Sequence, residues 1–295
     1  MALSIQSNMA SMSIQNQLGR SNNDLSTALE RLGSGFKINS AKDDAAGLQI
    51  ASRLNAQVRG QDAALYNSNN AMSMLQTAEG AFDEMTNIAY RMKELATQGA
   101  NGTNGADEYT AMSSEYAALA DELTSIMANT SFGGTLLLDD TTGKFSTGSV
   151  TFQVGSSTAE TLTVDVEDAI AGDATATAGT PEALGVKGTI AAAVTAGGFT
   201  DAATAQTEMT SIDGLIKTIG TARSALGASM NRLDHTMNNV TNMKENTQAA
   251  ASTLMDADFA AETSNMTKQQ LLMNSGISVL TTANSTTQMI GSLLR

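Results

Sequence analysis

Side chains that carry enzymatic chemistry are scarce in this sequence. There is one histidine, His235, and no cysteine. A nucleophilic triad needs a hydroxyl or thiol, an imidazole and an acid that orients it, so any such site would have to centre on His235. That residue stands in Arg232-Leu-Asp-His-Thr236, inside a helical pattern, and reads as a hydrogen-bonded helix residue. One histidine cannot complete His-Glu-x-x-His, and without cysteine there are no thiolate metal sites and no disulfide framework. The best carboxylate pairs are Asp43-Asp44 and Asp139-Asp140. Adjacent acids on a helix point in different directions, and Asp43 has a capping role open to it. Asp139-Asp140 precedes Thr-Thr-Gly and reads as a turn. The stretch Gly99–Gly105 is rich in glycine, but no strand leads into it, so it reads as a turn and not a phosphate cradle. No catalytic, cofactor or metal residue is assigned, and the expectation is a protein that is not an enzyme.

The elements that would position any site are helical. Of the 295 residues, 41% are hydrophobic and only 4% aromatic; Trp is absent, Pro occurs once and Met 17 times. Aromatics dominate ordinary globular cores. A core of Leu, Ile, Met and Ala favours helix-on-helix packing, with Met as an adaptable filler. The net charge of −14 argues against nucleic acid and against anionic membrane surfaces. No run of about 18 apolar residues would span a bilayer. Met1–Ala10 has neither a basic start nor a continuous apolar run, so no secretory signal peptide is read there.

Leu18, Leu25 and Leu32 recur every seven residues, with Ile14, Ala28 and Leu29 nearby, until Gly33 and Gly35 interrupt. Ser40-Ala-Lys-Asp43 reads as a capping box opening a second helix. Leu54, Val58, Leu65, Met72, Leu75, Phe82, Met85, Ala89, Met92 and Ala96 then keep one stripe. A third helix carries Tyr109, Met112, Tyr116, Leu119, Leu123 and Ile126 at alternating threes and fours, a heptad seam. Alternating runs at Ser149–Val154 and Thr161–Val166 predict a β-hairpin or small meander. Ala171–Gly198, with the single Pro181, reads as a surface excursion. Helical rhythm returns through Ile212, Ile216, Ile219, Leu226, Met230, Leu233, Met237 and Val240. Asp256 and Asp258 mark a break or cap, and Phe259, Met266, Met273 and Leu280 follow at sevens.

A helix over about residues 42–98 would run roughly 80 Å, whereas a compact chain of this length has a radius of gyration of about 19 Å. The predicted fold is therefore mainly α: an elongated antiparallel helical bundle or coiled coil formed by the N- and C-terminal halves, with a small inserted β-hairpin region. Gly60 and Gly80 could kink the long helix. No charge precedes Arg20, and none lies between Gln269 and Leu294. The antiparallel arrangement places these uncharged ends side by side, suited to burial against other protein.

Leu29-Glu-Arg-Leu-Gly-Ser-Gly-Phe-Lys-Ile-Asn-Ser-Ala-Lys-Asp-Asp-Ala-Ala-Gly-Leu-Gln-Ile-Ala-Ser-Arg53 closely resembles the N-terminal signature of bacterial flagellins. Gln76-Thr-Ala-Glu-Gly-Ala81, Arg91-Met-Lys-Glu-Leu-Ala-Thr-Gln98, Asn129-Thr-Ser-Phe-Gly-Gly-Thr-Leu-Leu137 and Phe152-Gln-Val-Gly155 resemble its next blocks in order. So do Arg223-Ser-Ala-Leu-Gly-Ala228, Asn231-Arg-Leu-Asp-His-Thr236, Glu245-Asn246, Asp256-Ala-Asp-Phe-Ala260, Met266-Thr-Lys268 and Ser292-Leu-Leu-Arg295. The resemblance covers about 1–170 and 200–295. Gly133 stands where the family usually has Asn, and both tolerate a left-handed backbone. Thr287 stands where Pro is common, which leaves the end of the last helix open.

The resemblance implies a secreted, extracellular structural subunit that leaves through type III export and polymerises into the flagellar filament for swimming motility. The alternative is a hook–filament junction protein. It implies an inner coiled-coil domain from residues 1–40 and 257–295, a rod-like domain with the hairpin from 41–170 and 200–256, and a short variable surface insert at 171–199, without large outer domains. The polymerisation core falls on Leu18, Leu25, Leu32, Met266, Met273 and Leu280. Implied partners are further copies of the chain, the flagellar cap and junction proteins, an export chaperone on the C-terminal segment, and a host innate immune receptor at Arg91, Leu95 and Glu115. Arg91 and Leu95 are i,i+4 neighbours.

Overall fold

A computed structural model of the chain describes residues 8–139, 142–172, 181–196 and 198–293. The element order is α1 (Met9–Ser34), α2 (Ala45–Gly99), α3 (Ala106–Asn129), β1 (Ser131–Phe132), β2 (Thr135–Leu136), β3 (Val150–Gln153), β4 (Thr161–Val164), α4 (Glu167–Ala171), α5 (Pro181–Ala196), α6 (Ala202–Met255) and α7 (Phe259–Leu293). Two compact units divide them. One comprises residues 1–58 and 245–295, the other 59–244.

In the terminal unit, α1 is opened by Asn8, whose Oδ1 accepts from the Ser11 amide at 3.1 Å. It ends at Gly35, where φ of 77° turns the chain and lets the Gly35 amide donate to the Arg31 carbonyl. Gly33 is the helix's penultimate residue, so only the second glycine of the pair ends it. The connection then pairs with the start of the C-terminal segment. Lys37 N–H donates to Met255 O, Ala257 N–H donates to Gly35 O, and Phe36 bridges Asp256 in antiparallel sense.

The predicted capping box at Ser40–Asp43 is corrected. Asp43 Oδ2 accepts from the amides of Asn39 and Ser40 and from the Ser40 hydroxyl, closing a turn before the helix. Burial opposes ionisation of Asp43, but the Ser40 and Asn39 hydrogen bonds outweigh it and hold the carboxyl below its ordinary range. Asp44 is the residue that caps α2, accepting from Gly47 N–H at 2.8 Å.

The central unit closes one core. Leu75, Phe82, Met85 and Met92 of α2 meet Tyr116 and Leu123 of α3 and Ile212, Leu215, Ile219 and Leu226 of α6, all essentially inaccessible. Cross-links fix the direction of α6 against α2. Arg223 pairs with Glu79 and Asp83, Lys93 with Asp213, and Lys244 with Asp62. Partners rise in number on one helix as they fall on the other, so the halves run antiparallel, as expected.

The predicted hairpin is present, with Val150 opposite Val164 and Phe152 opposite Leu162. A second, smaller hairpin was not anticipated. Gly133 (φ 58°) and Gly134 (φ 80°) form its two-residue loop, and two successive positive φ angles suit the type I′ turn that joins such strands. Neither Gly60 nor Gly80 interrupts α2. A Cβ on Gly60 would stand 2.9 Å from Ser156 Cβ in the β3–β4 loop, so the glycine admits that loop to the helix surface.

The reading of Ala171–Gly198 as a surface excursion is also corrected. Residues 173–180 and 197 lie outside the described residues, but α5 carries Val186 and Ile190 into the core, and Phe199 follows them. Phe199 lies edge-on to Tyr116 at 5.7 Å and to Tyr109 at 6.5 Å, and packs where a side chain on Gly99 would stand. A Gly/Thr/Ala-rich composition conceals such a contribution, because the residues that reach the core are few.

Candidate functional site: the paired terminal helices

In the terminal unit α1 and α7 lie side by side. Asn8 Nδ2 donates to Ala283 O at 3.2 Å, Gln269 Nε2 to Asp24 Oδ2 at 3.4 Å, and Arg31 NH1 to Glu262 Oε1 at 3.2 Å. These pairings run in opposite directions along the two helices, so the ends pack antiparallel. On α1 the inward positions are Ser11, Ile14, Leu18, Ser21, Leu25, Ala28 and Leu32. On α7 they are Glu262, Met266, Gln269, Met273, Gly276, Leu280 and Ala283. Both rows alternate steps of three and four, the period of a coiled-coil seam. At Gly276 a Cβ would come within 2.7 Å of Leu18 Cδ2, so the glycine gives that leucine its seat.

The six residues expected in the polymerisation core, Leu18, Leu25, Leu32, Met266, Met273 and Leu280, fall on one seam within the chain. Each is only half-buried. The fourth residue of the α7 series does not join them: Phe259 is 58% exposed. Glu262 takes the seam position there, buried against Arg31 and accepting from Asn265 Nδ2. Sequence reasoning passed over Glu262 because it followed apolar residues; the signal was its spacing of four before Met266.

The outer faces of both helices are apolar in places. Met9, Met12 and Leu29 on α1 and Leu271, Leu272, Ile277, Val279 and Met289 on α7 are all more than two-fifths exposed. Exposed large apolar side chains on both helices are of the kind that other protein covers. Asp258 starts α7, its Oδ1 accepting from the Ala260 and Ala261 amides, as the sequence indicated. The helix passes through Thr287 and continues to Leu293; Leu294 and Arg295 lie outside the described residues.

The second set of candidates belongs to the central unit. Arg91 lies exposed on α2, its Nε and NH2 donating to Glu115 Oε1 at 2.9 and 2.7 Å and its NH1 to Glu94 Oε2 at 2.6 Å. Glu115 first, then Glu94, holds the guanidinium further into its charged range. Leu95 does not share that face. It is 2% exposed and packs in the core, so of the three residues only Arg91 and Glu115 present surface. Four residues advance a helix by 40° more than a full turn, enough here to carry position 95 from the exposed edge into the core.

The candidates for chemistry are dispersed. His235 is exposed on α6, in a cleft of about 280 Å³ with Gln61, Ser156 and Glu160. Asp43 and Asp44 are each engaged with local backbone, and Asp139 Oδ1 accepts from Thr142 N–H and hydroxyl. Asp140 lies outside the described residues. Among the described residues no group of three His, Cys, Asp or Glu side chains could hold a metal, and no helix is long and apolar enough to cross a membrane.

Known proteins match both terminal regions of the chain. Residues 5–142 match the family described as the bacterial flagellin N-terminal helical region, and residues 209–294 the bacterial flagellin C-terminal helical region. A flagellin of Halalkalibacterium halodurans is 37% identical over 291 residues, covering 99% of both chains. Flagellin A of Vibrio anguillarum is 33% identical with all of both chains covered; the alignment spans 384 positions, more than the 295 residues here, so that relative carries additional sequence. A putative flagellar hook-associated protein from Vibrio parahaemolyticus shares the fold, with a TM-score of 0.59 at 15% identity over 72% of this chain and 99% of that one. The crystal structure of Bacillus cereus flagellin has a TM-score of 0.47 at 33% identity, covering 63% of this chain and 94% of that one.

Proposed function

The chain belongs to the bacterial flagellin family, and from that premise we propose how it acts as the structural subunit of the flagellar filament: its terminal helices complete their folding only when neighbouring copies cover them. The family is structural, not enzymatic, and its filament lies outside the cell. The observation that carries the mechanism is the half-buried seam of α1 and α7 beneath exposed Leu271, Leu272, Ile277 and Val279.

Ordering a chain costs about 1–2 kcal/mol per residue, and a shallow seam returns little apolar burial against that cost. Further copies supply the missing burial. Charge is absent before Arg20 and between Gln269 and Leu294, so these stretches close without desolvating an ionised side chain. The boundaries that fit this mechanism are an inner domain of 1–40 and 257–295 and a rod of 41–170 and 200–256. Residues 171–199 are the reduced variable region.

Deleting residues 1–40 tests this. The truncated chain is expected to keep a cooperatively folded central unit, seen by circular dichroism, and to form no filaments on seeding, seen by electron microscopy. Normal filaments from the truncation would refute the mechanism. The alternative junction protein is separated by position: labelled chain lies along the filament if it is the subunit, and at its base if it is the junction.

The remaining partners follow from the same reading. The cap and junction proteins meet the polymer's ends, and an export chaperone covers the apolar C-terminal segment before assembly. For the innate immune receptor, exposed Arg91 and Glu115 are the contacts that suit a polar partner. Arg91→Ala in soluble monomer is expected to reduce receptor activation; full activity in that variant sinks the assignment.

A further inference from the structure

We infer that Asn101-Gly102 is a site of spontaneous covalent modification, where the chain converts asparagine to aspartate and isoaspartate, while the fold holds the neighbouring Asn104-Gly105 unreactive. These are the only two Asn-Gly dipeptides in the sequence. The reaction begins with the glycine nitrogen, which has no adjacent side chain to shield it. A bond forms between that nitrogen and the asparagine Cγ, and the Cγ–Nδ2 bond breaks. Ammonia leaves, taking the proton from the glycine nitrogen. Water then opens the resulting five-membered imide at either carbonyl. One opening gives aspartate; the other gives isoaspartate, with the main chain routed through the former side chain. Water is the only co-reactant, and nothing is oxidised or reduced.

Both dipeptides lie in the short connection between α2 and α3, yet their hydrogen bonds differ. Asn104 Nδ2 donates to Gln98 O at 2.7 Å, which fixes the amide away from attack. Gly105 N–H donates to Glu108 Oε2 at 2.9 Å, at the start of α3, and Gly105 O accepts the first helical bond from Tyr109. Electrophile and nucleophile are both tied. Asn101 and Gly102 are exposed, and among the described residues neither Asn101 Nδ2 nor Gly102 N–H donates a hydrogen bond. Asn101 Oδ1 accepts only a long bond of 3.4 Å from Thr103 N–H, which draws electrons from the carbonyl under attack. The turn itself is held by Asn101 O, which accepts from Asn104 N–H and from the Tyr109 hydroxyl. Each event adds one negative charge beside Asp107 and Glu108 in the first turn of α3.

The test is incubation of the purified, folded, full-length chain in mildly alkaline buffer, followed by peptide mapping that resolves position 101 from 104 and by enzymatic methyl labelling of isoaspartate. In the folded chain Asn101 is expected to react at least about tenfold faster than Asn104, since the hydrogen bonds at 104 must open first. In denaturant the two are expected to react at similar rates. Gly102→Ala, whose Cβ would meet nothing within 4 Å, should suppress reaction at 101 without disturbing the fold. Glu108→Ala should accelerate reaction at 104 in the folded chain. Equal rates at the two sites in the folded chain, or a protected Asn101 that reacts only in denaturant, would overturn the inference.

Discussion

In the central unit Leu75, Phe82, Met85, Tyr116, Leu123 and Leu226 have no exposed surface. In the terminal unit the fully buried apolar residues, among those described, are Ala28, Ile38, Ala51 and Ala251, three of them alanine. Both units are built from amphipathic helices with the same three-and-four spacing. They differ in how many neighbours each helix has. Around α2, the packing of α3, α5, α6 and the hairpin surrounds the apolar stripe. Around α1 there is α7, and a two-helix seam leaves each large side chain open on one flank. The same pattern thus yields a finished core in one unit and an unfinished one in the other.

The strongest way to break this comparison is to truncate each unit in turn. Phe82→Ala is expected to cost about 3–5 kcal/mol of monomer stability in denaturant unfolding. Leu25→Ala should leave the main unfolding transition of the monomer within about 0.5 kcal/mol while impairing filament growth, followed by light scattering. Equal losses of monomer stability for the two would end the distinction. Leu95→Ala sharpens it. Its burial predicts a cost of about 2–5 kcal/mol, against no measurable change for Arg91→Ala on the exposed face.

At the seam, Gly276→Val should displace Leu18 and slow filament growth, with little effect on the melting of the central unit. The smallest expected effect concerns Glu208. Tyr116 donates to Glu208 Oε2 at 2.8 Å inside the core. Burial raises the carboxyl's pKa, only partly opposed by the Tyr116 hydrogen bond. A carboxyl raised in the folded state contributes stability at pH below its ordinary value and loses it as pH rises through the folded value. Glu208→Gln keeps an acceptor for Tyr116 and removes the buried charge. It is expected to raise the melting temperature at neutral pH, with the gain vanishing in acid.

Much of the fold was legible because helical periodicity is local. Leu18, Leu25 and Leu32 announce α1, and the stripe from Leu54 to Ala96 announces α2. The hairpin at Val150–Val164 was legible for the same reason, with a period of two. Local pattern could not show that Asp44 caps α2 in place of the Ser40–Asp43 turn, because both residues are acids at acceptable spacing. Nor could it show that Leu95 faces inward. The identity of a helical residue does not fix which side its neighbours occupy, and Arg91, one turn earlier, is exposed.

The sequence by itself determined the long helical segments, the uncharged character of both ends, and, through its ordered motif blocks, the family. Those properties reside in residue types and spacings along one chain. Only the tertiary structure decided that Phe199 and α5 complete the core, that Glu262 and Gly276 belong to the seam, and that one Asn-Gly is tied while the other is open. Each of these depends on what a distant or differently oriented group does to a residue, and spacing along the chain carries no record of that.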